Sequence, residues 1–124
     1  MRTVRKGWIC CTMAAFLAGC FVVMDPLRKP VEEIRGQLLR EKPLGTSSVE
    51  IERWLIVDKK LAPKRANTGY FTNRGVTVGF SSISAGLGEY KTFSLLAASV
   101  EAFWGFDEHG FLIDVWVRKS VDAP

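Results

Sequence analysis

The sequence has no cysteine after residue 20, one histidine in its whole length, and no acidic residue before Asp25. Each absence removes a class of explanation. With Cys10, Cys11 and Cys20 all near the start, residues 21–124 hold no disulfide framework and no cysteine metal site. A lone imidazole, His109, has no second ligand at metal-binding spacing and no indicated nucleophile beside it. No Gly-x-Ser-x-Gly elbow occurs, and the serine- and glycine-rich stretch 81–88 lacks the Lys-Ser/Thr end of a phosphate loop. Glu50 and Glu52, two apart on a helix, point to different faces, and no other acid pair suggests a glycosidase. No cofactor or metal is therefore expected, and catalysis is not the first reading.

The missing acids divide the chain. Residues 1–24 carry Arg2, Arg5 and Lys6 alone, whereas residues 25–124 hold fourteen Lys/Arg against all thirteen acids, a net charge of only +1. Most of the overall +4 thus belongs to the leader, which removes the main argument for a nucleic-acid partner. A basic tip followed by the uncharged run Trp8 to Met24 has the order of an export signal, and predicts a cytoplasmic N-terminus with the remainder translocated. The expected organisation is a leader or signal-anchor segment over 1–24 and one extracytoplasmic domain over 25–124, membrane-anchored in a bacterial envelope.

Within that run, Leu17-Ala18-Gly19-Cys20 resembles the lipobox of bacterial lipoproteins. The resemblance implies cleavage before Cys20 and lipidation of its thiol. Phe21-Val22-Val23-Met24 prolongs the apolar run beyond the cysteine, and the seventeen residues Trp8–Met24 make about 25 Å of helix, enough for a marginal span. An uncleaved anchor and a conventionally cleaved signal therefore stay open beside lipidation.

From Leu27 the apolar spacing Leu27, Val31, Ile34, Leu38, widened by Leu39, predicts an amphipathic helix of about four turns ending near Lys42-Pro43. Ser47 and Glu50 form a capping-box pattern for a second helix running to about Lys60, with Val49, Ile51, Trp54, Leu55 and Val57 inward. The period then shortens. Segments 67–73 and 76–80 read as strands, 81–91 as a polar loop, and Phe93–Phe106 as a strand. After the turn Asp107-Glu108-His109-Gly110, a return strand should place Phe111, Ile113, Val115 and Val117 inward, leaving Asp114 exposed. Helix, helix, then consecutive strands predicts an α+β domain: two helices packed on one face of a three- or four-stranded antiparallel sheet.

That order, together with the turn Leu44-Gly45-Thr46 opening a helix with Val49 and Leu55 inward, resembles the BamE-type small bacterial lipoproteins. The resemblance implies a β-lactamase-inhibitor-protein-like fold and an accessory role in envelope assembly. The sequence departs from that group in lacking a Leu-Gly-x-Pro ending to the second helix.

Two patterns suit binding. Lys59, Lys60, Lys64, Arg65 and Arg74 gather basic charge after the second helix, suited to anionic headgroups or an acidic partner. Leu95, Phe103, Leu112 and Trp116 fall on the nominally outer strand face, as a partner or dimer surface would. A helical cover or a strand bulge near Ser99 accounts for them equally well. The functional expectation is a non-catalytic, membrane-tethered module binding a protein partner, held by its N-terminal segment or by lipid on Cys20. The alternative is an inhibitor or immunity-type protein offering loop 81–91 to one target.

Overall fold

The computed structural model describes residues 26–92 and 96–121. The expectations for the leader, Cys20 and Leu95 lie outside those residues. Among the described residues no helix is long and apolar enough to cross a membrane.

The first helical stretch is broken in two. A 3-10 turn, Pro26–Arg28, precedes helix α1, Val31–Glu41. Pro30 explains the break, because a residue before proline is driven out of helical geometry, here Lys29. Glu32 and Glu33 sit in the first turn of α1, where the helix dipole favours them. Pro43 closes the helix by the same rule, holding Lys42 extended at φ −135° and ψ 90°. Ile34 and Leu38, four apart, are buried, with Leu27, Val31 and Leu39 packed beside them.

Helix α2 spans Ser48–Val57, and Ser47 caps it by accepting the Glu50 amide at 3.2 Å. The Glu50 carboxylate turns to Lys42 at 3.7 Å rather than completing the capping box. Ile51, Trp54 and Leu55 are buried, whereas Val49 and Val57 are exposed, contrary to the sequence expectation. At about 100° per residue, Val49 points roughly 160° from Ile51, so the two cannot share a buried stripe. The helix ends on a reversal at Lys60, whose φ of 56° lets the Leu61 amide reach back to the Leu55 carbonyl at 2.8 Å.

Six strands follow: β1 Lys64–Ala66, β2 Tyr70–Phe71, β3 Thr77–Val78, β4 Ser81–Lys91, β5 Ala97–Phe106 and β6 Leu112–Val121. An antiparallel sheet runs in the order β1-β4-β5-β6, and β2 pairs with β3 as a separate ribbon. The α+β class with two helices and four sheet strands therefore holds. Segment 81–91, expected as a loop, is instead an inner strand pairing with both β1 and β5. Its small polar residues disguised an alternation in which Ile83, Ala85 and Leu87 turn to the helices.

The core fills the single layer between helices and sheet. Ile83, Ala85, Val100, Ala102, Trp104, Phe106, Leu112, Val115 and Val117 meet Ile34, Leu38, Ile51, Trp54 and Leu55. Trp54 and Trp104 pack edge to face, centroids 6.2 Å apart at 87°. On the other face the ribbon lays Tyr70 against Phe103 and Trp116, at 5.8 and 5.9 Å. Gly105 makes room for it, since a Cβ there would lie 2.9 Å from the Tyr70 ring.

Two bulges set the strand faces. Leu87 is the extra residue between the pairs Gly86–Glu101 and Gly88–Val100. Ile113 is the extra residue between Gly105–Asp114 and Phe106–Leu112. The second bulge corrects the sequence reading of β6. Leu112, assigned to an exposed partner surface, is 2% exposed and in the core, while Phe111 and Ile113, expected inward, are exposed. An inserted residue shifts a strand's face by one position, so Leu112 and Val115 both point inward although their parity differs.

Candidate functional site

The expected binding residues are distributed differently from their sequence pattern. Phe103 and Trp116 do share the outer sheet face, with ring centroids 5.1 Å apart, but Tyr70 covers them and Arg118 lies 5.4 and 5.8 Å over their rings. Arg118 is itself held by Glu101 at 2.6 Å. The result is a half-buried stack, closed from above by the ribbon.

The basic residues are split in the same way. Lys59 ion-pairs with Glu41 at 3.0 Å and lies 5.4 Å from the Trp54 ring, and Arg65 pairs with Glu52 at 2.9 Å. Lys60 occupies the reversal after α2, Lys64 the short edge strand β1, and Arg74 the turn of the β2–β3 ribbon. The sheet separates the ribbon's face from the helical face, so these five cations do not make one surface.

His109 sits in the exposed β5–β6 turn, 3.6 Å from the Glu108 carboxylate. Asp107 shapes that turn by accepting the amides of Phe111 and His109, both at 2.9 Å. The Phe111 bond foremost, aided by the His109 amide, holds the Asp107 carboxyl below the usual carboxylate range against the opposing effect of desolvation. Among the described residues no group of three metal-ligating side chains converges. Segment 81–91, being an inner strand, offers no projecting loop of the kind an inhibitor would insert.

Asp114, expected exposed, is half-buried and bound to α1. Arg35 reaches past the edge strand β6, its Nε donating to the Val115 carbonyl at 2.7 Å and its Nη2 meeting Asp114 Oδ1 at 2.6 Å. This clasp occupies a carbonyl on an edge that would otherwise invite another strand.

Three surface features remain. A groove of about 440 Å³ lies between the helices on the core side, floored by Ile34, Leu38, Trp54, Leu55, Leu61 and Leu87. Pro26 and Leu27 form part of its wall, and charged Lys29, Glu33, Glu41 and Lys59 its rim.

The two ends of the sheet are the other features, and they differ in chemistry. At the end formed by Phe106 and Leu112 lie five large exposed apolar side chains: Leu44, Val49, Phe80, Phe111 and Ile113. Backbone bonds bring them to that end. Gly45 N–H donates to the Leu112 carbonyl at 2.8 Å, Ser47 bridges to Phe111, and Phe80 N–H donates to the Phe106 carbonyl at 2.7 Å. Gly45, at φ 93°, has the left-handed geometry that the first of these contacts needs. No sequence pattern could have assembled this group, because its members come from four separate segments.

At the opposite end, where the described chain begins, basic residues stand beside the exposed Val121 and Glu89. Arg28 donates to the Lys91 carbonyl at 2.7 Å, and Lys119 Nζ donates to the Lys29 carbonyl at 2.6 Å. Across ten residues of β5, at about 3.3 Å each, the two ends stand roughly 30 Å apart. Comparisons with protein-family models, with curated proteins and with solved structures each returned no match.

Proposed function

We propose that this chain is a non-catalytic, membrane-tethered envelope module that binds a protein partner through the apolar end of its domain. The observation that carries the reading is the group Leu44, Val49, Phe80, Phe111 and Ile113, all exposed at one end of the sheet. Such side chains gain nothing from burial while they stay in water, but each stabilises a complex when a partner covers it. Apolar residues ringed by polar surface are the ordinary core of a protein interface. The tether is the run Trp8–Met24, either retained as an anchor or cleaved before a lipid-bearing Cys20, with the domain outside the cytoplasm.

Position supports the pairing of the two roles. The described chain begins at the basic end, so a tether there leaves the apolar end pointing away from its attachment. Cross-linking of the full-length chain in its native membrane tests the reading, compared with a Val49→Glu/Phe111→Glu variant. Both positions are exposed, so the fold should persist. One defined adduct, lost in the variant, is expected. Adducts unchanged by the variant would move binding elsewhere. Intact mass of the membrane-extracted chain, with a Cys20→Ala control, distinguishes lipid from retained anchor.

A further inference from the structure

We infer that the domain seats the end of its sheet around Tyr90 on a bilayer surface carrying anionic headgroups, an inference that rests on the tethered reading above. Arg28 and Lys119 flank the Tyr90 ring at 4.9 and 5.1 Å from its centroid. Lys119 also donates to the Tyr90 hydroxyl at 3.3 Å. Lys29 and Lys91 supply the carbonyls that accept these cations' other bonds, so Arg28 and Lys119 are the two cations at the ring, while Lys29 lines the helical groove beside Glu33.

Neither Arg28 nor Lys119 has a carboxylate within ion-pair distance among the described residues, as holds for seven of the other twelve Lys/Arg; what sets these two apart from those seven is the ring they share. No described acid ion-pairs with Arg28 or Lys119, although Glu89 keeps its charge nearby. Glu89 accepts from Ser99 at 3.3 Å, Glu33 faces the helical groove, and Glu32 belongs to the first turn of α1. Among the described residues no carboxylate stands between the two cations, so their mutual repulsion is relieved only by the ring and the accepting carbonyls. An approaching anion removes that repulsion, so the arrangement favours a surface of negative charge.

Chain position selects the bilayer as that surface. A single residue, Asp25, separates Pro26 from the apolar run that ends at Met24. Cations immediately beside a membrane segment are attracted to anionic headgroups, and tyrosine suits the interface because its ring is apolar and its hydroxyl polar. The 3-10 turn that carries Arg28 is fixed to the sheet rather than loosely attached. Leu27 lies over Gly88, where a Cβ would come within 2.9 Å of its side chain. These contacts fix the 3-10 turn on the sheet at the end opposite the apolar group, so a bilayer met at this end leaves the apolar end pointing away from it.

The test uses the full-length chain with phosphatidylcholine membranes doped with phosphatidylglycerol. Flotation with vesicles comes first, followed by amide spectra in nanodiscs containing a gadolinium-chelating lipid. Loss of the Lys91 and Lys119 amide signals, with those of Glu108–Gly110 retained, is expected. Screening by high salt, and separately the Arg28→Glu/Lys119→Glu variant, should restore the lost signals without preventing flotation. Flotation with equal broadening at both ends, or signals lost equally in the variant, would overturn the seating and leave the tether standing. A chain that does not float would overturn the tether, and the seating with it.

Discussion

Replacing Leu112 with alanine should destabilise the domain by about 3–4 kcal/mol, while the same truncation of its neighbour Ile113 should cost under about 1 kcal/mol. Leu112 is 2% exposed and packs in the core shared by Phe106, Val115 and the helices. Large-to-small changes of buried leucine cost about 2–5 kcal/mol, depending on how far the site collapses around the lost atoms. Collapse is restricted here. The backbone of Leu112 is held on both sides, its N–H donating to the Thr46 carbonyl at 2.9 Å and its carbonyl accepting from Gly45 at 2.8 Å. That places the loss in the upper half of the range. Ile113 sits on the bulge with 44% exposure, so its truncation leaves no enclosed cavity. Urea unfolding of the full-length chain in detergent, followed by the fluorescence of buried Trp54 and Trp104, measures both losses. In thermal unfolding each kcal/mol corresponds to about 4–8 °C for a domain of this size. Equal losses, or a larger loss at Ile113, would refute the bulged register and with it the exposure of Phe111 and Ile113.

Lys60 adopts φ 56°, which costs a side-chain-bearing residue about 1–2 kcal/mol, partly offset in glycine by its freer unfolded chain. Lys60→Gly should therefore stabilise by up to about 1 kcal/mol, read as a higher urea midpoint; a lower midpoint would argue against this reversal. Among the described residues the buried Tyr70 hydroxyl has no hydrogen-bond partner, and burial, assisted by Asp114 and opposed by Arg35, raises its pKa well above the ordinary 10. Because the folded state resists ionising this phenol, its contribution is complete below pH 10 and is lost as pH rises above that value. Tyr70→Phe should leave neutral-pH stability within about 1 kcal/mol of wild type and flatten the alkaline decline; an unchanged alkaline profile would count against the burial. The Arg35–Asp114 pair is about two-fifths exposed, so a double-mutant cycle should give a coupling near or below about 1 kcal/mol that shrinks with salt.

What could be read from the sequence was whatever depended on local spacing. The hairpin Phe106–Leu112, the Ser47 cap and the buried trio Ile51, Trp54 and Leu55 follow from periodicity and capping chemistry that neighbouring residues specify. Segment 81–91 failed because serine and glycine have low strand propensity. Its pairing comes from strands on both sides, a tertiary effect that overrides local preference. The β6 register failed for a related reason. A bulge is fixed by what the partner strand and the 43–48 loop require, and alternation read along one strand cannot reveal it. The outer-face prediction was correct in placing Phe103 and Trp116 together, yet missed that Tyr70 on a two-residue strand would cover them.

The same separation between local and tertiary information governs the functional surfaces. The sequence-adjacent basic run Lys59–Lys60–Lys64–Arg65 is largely neutralised or dispersed, with Lys59 and Arg65 ion-paired to acids from the helices. At the opposite end the two cations over one tyrosine come from positions 28 and 119, and only the antiparallel sheet brings them together. The apolar end is assembled from distant positions as well. A rigid sheet roughly 30 Å long then fixes the distance between a surface suited to headgroups and a surface suited to protein. Shortening β4 and β5 together by one residue pair would bring the ends closer by only about 3 Å, but would also reverse which side chains face the helices beyond the cut. Removing two residues from each strand would keep the alternation and bring the ends about 7 Å closer, so the same strands that carry the core allow the separation of the two surfaces to change only in steps of a full pleat.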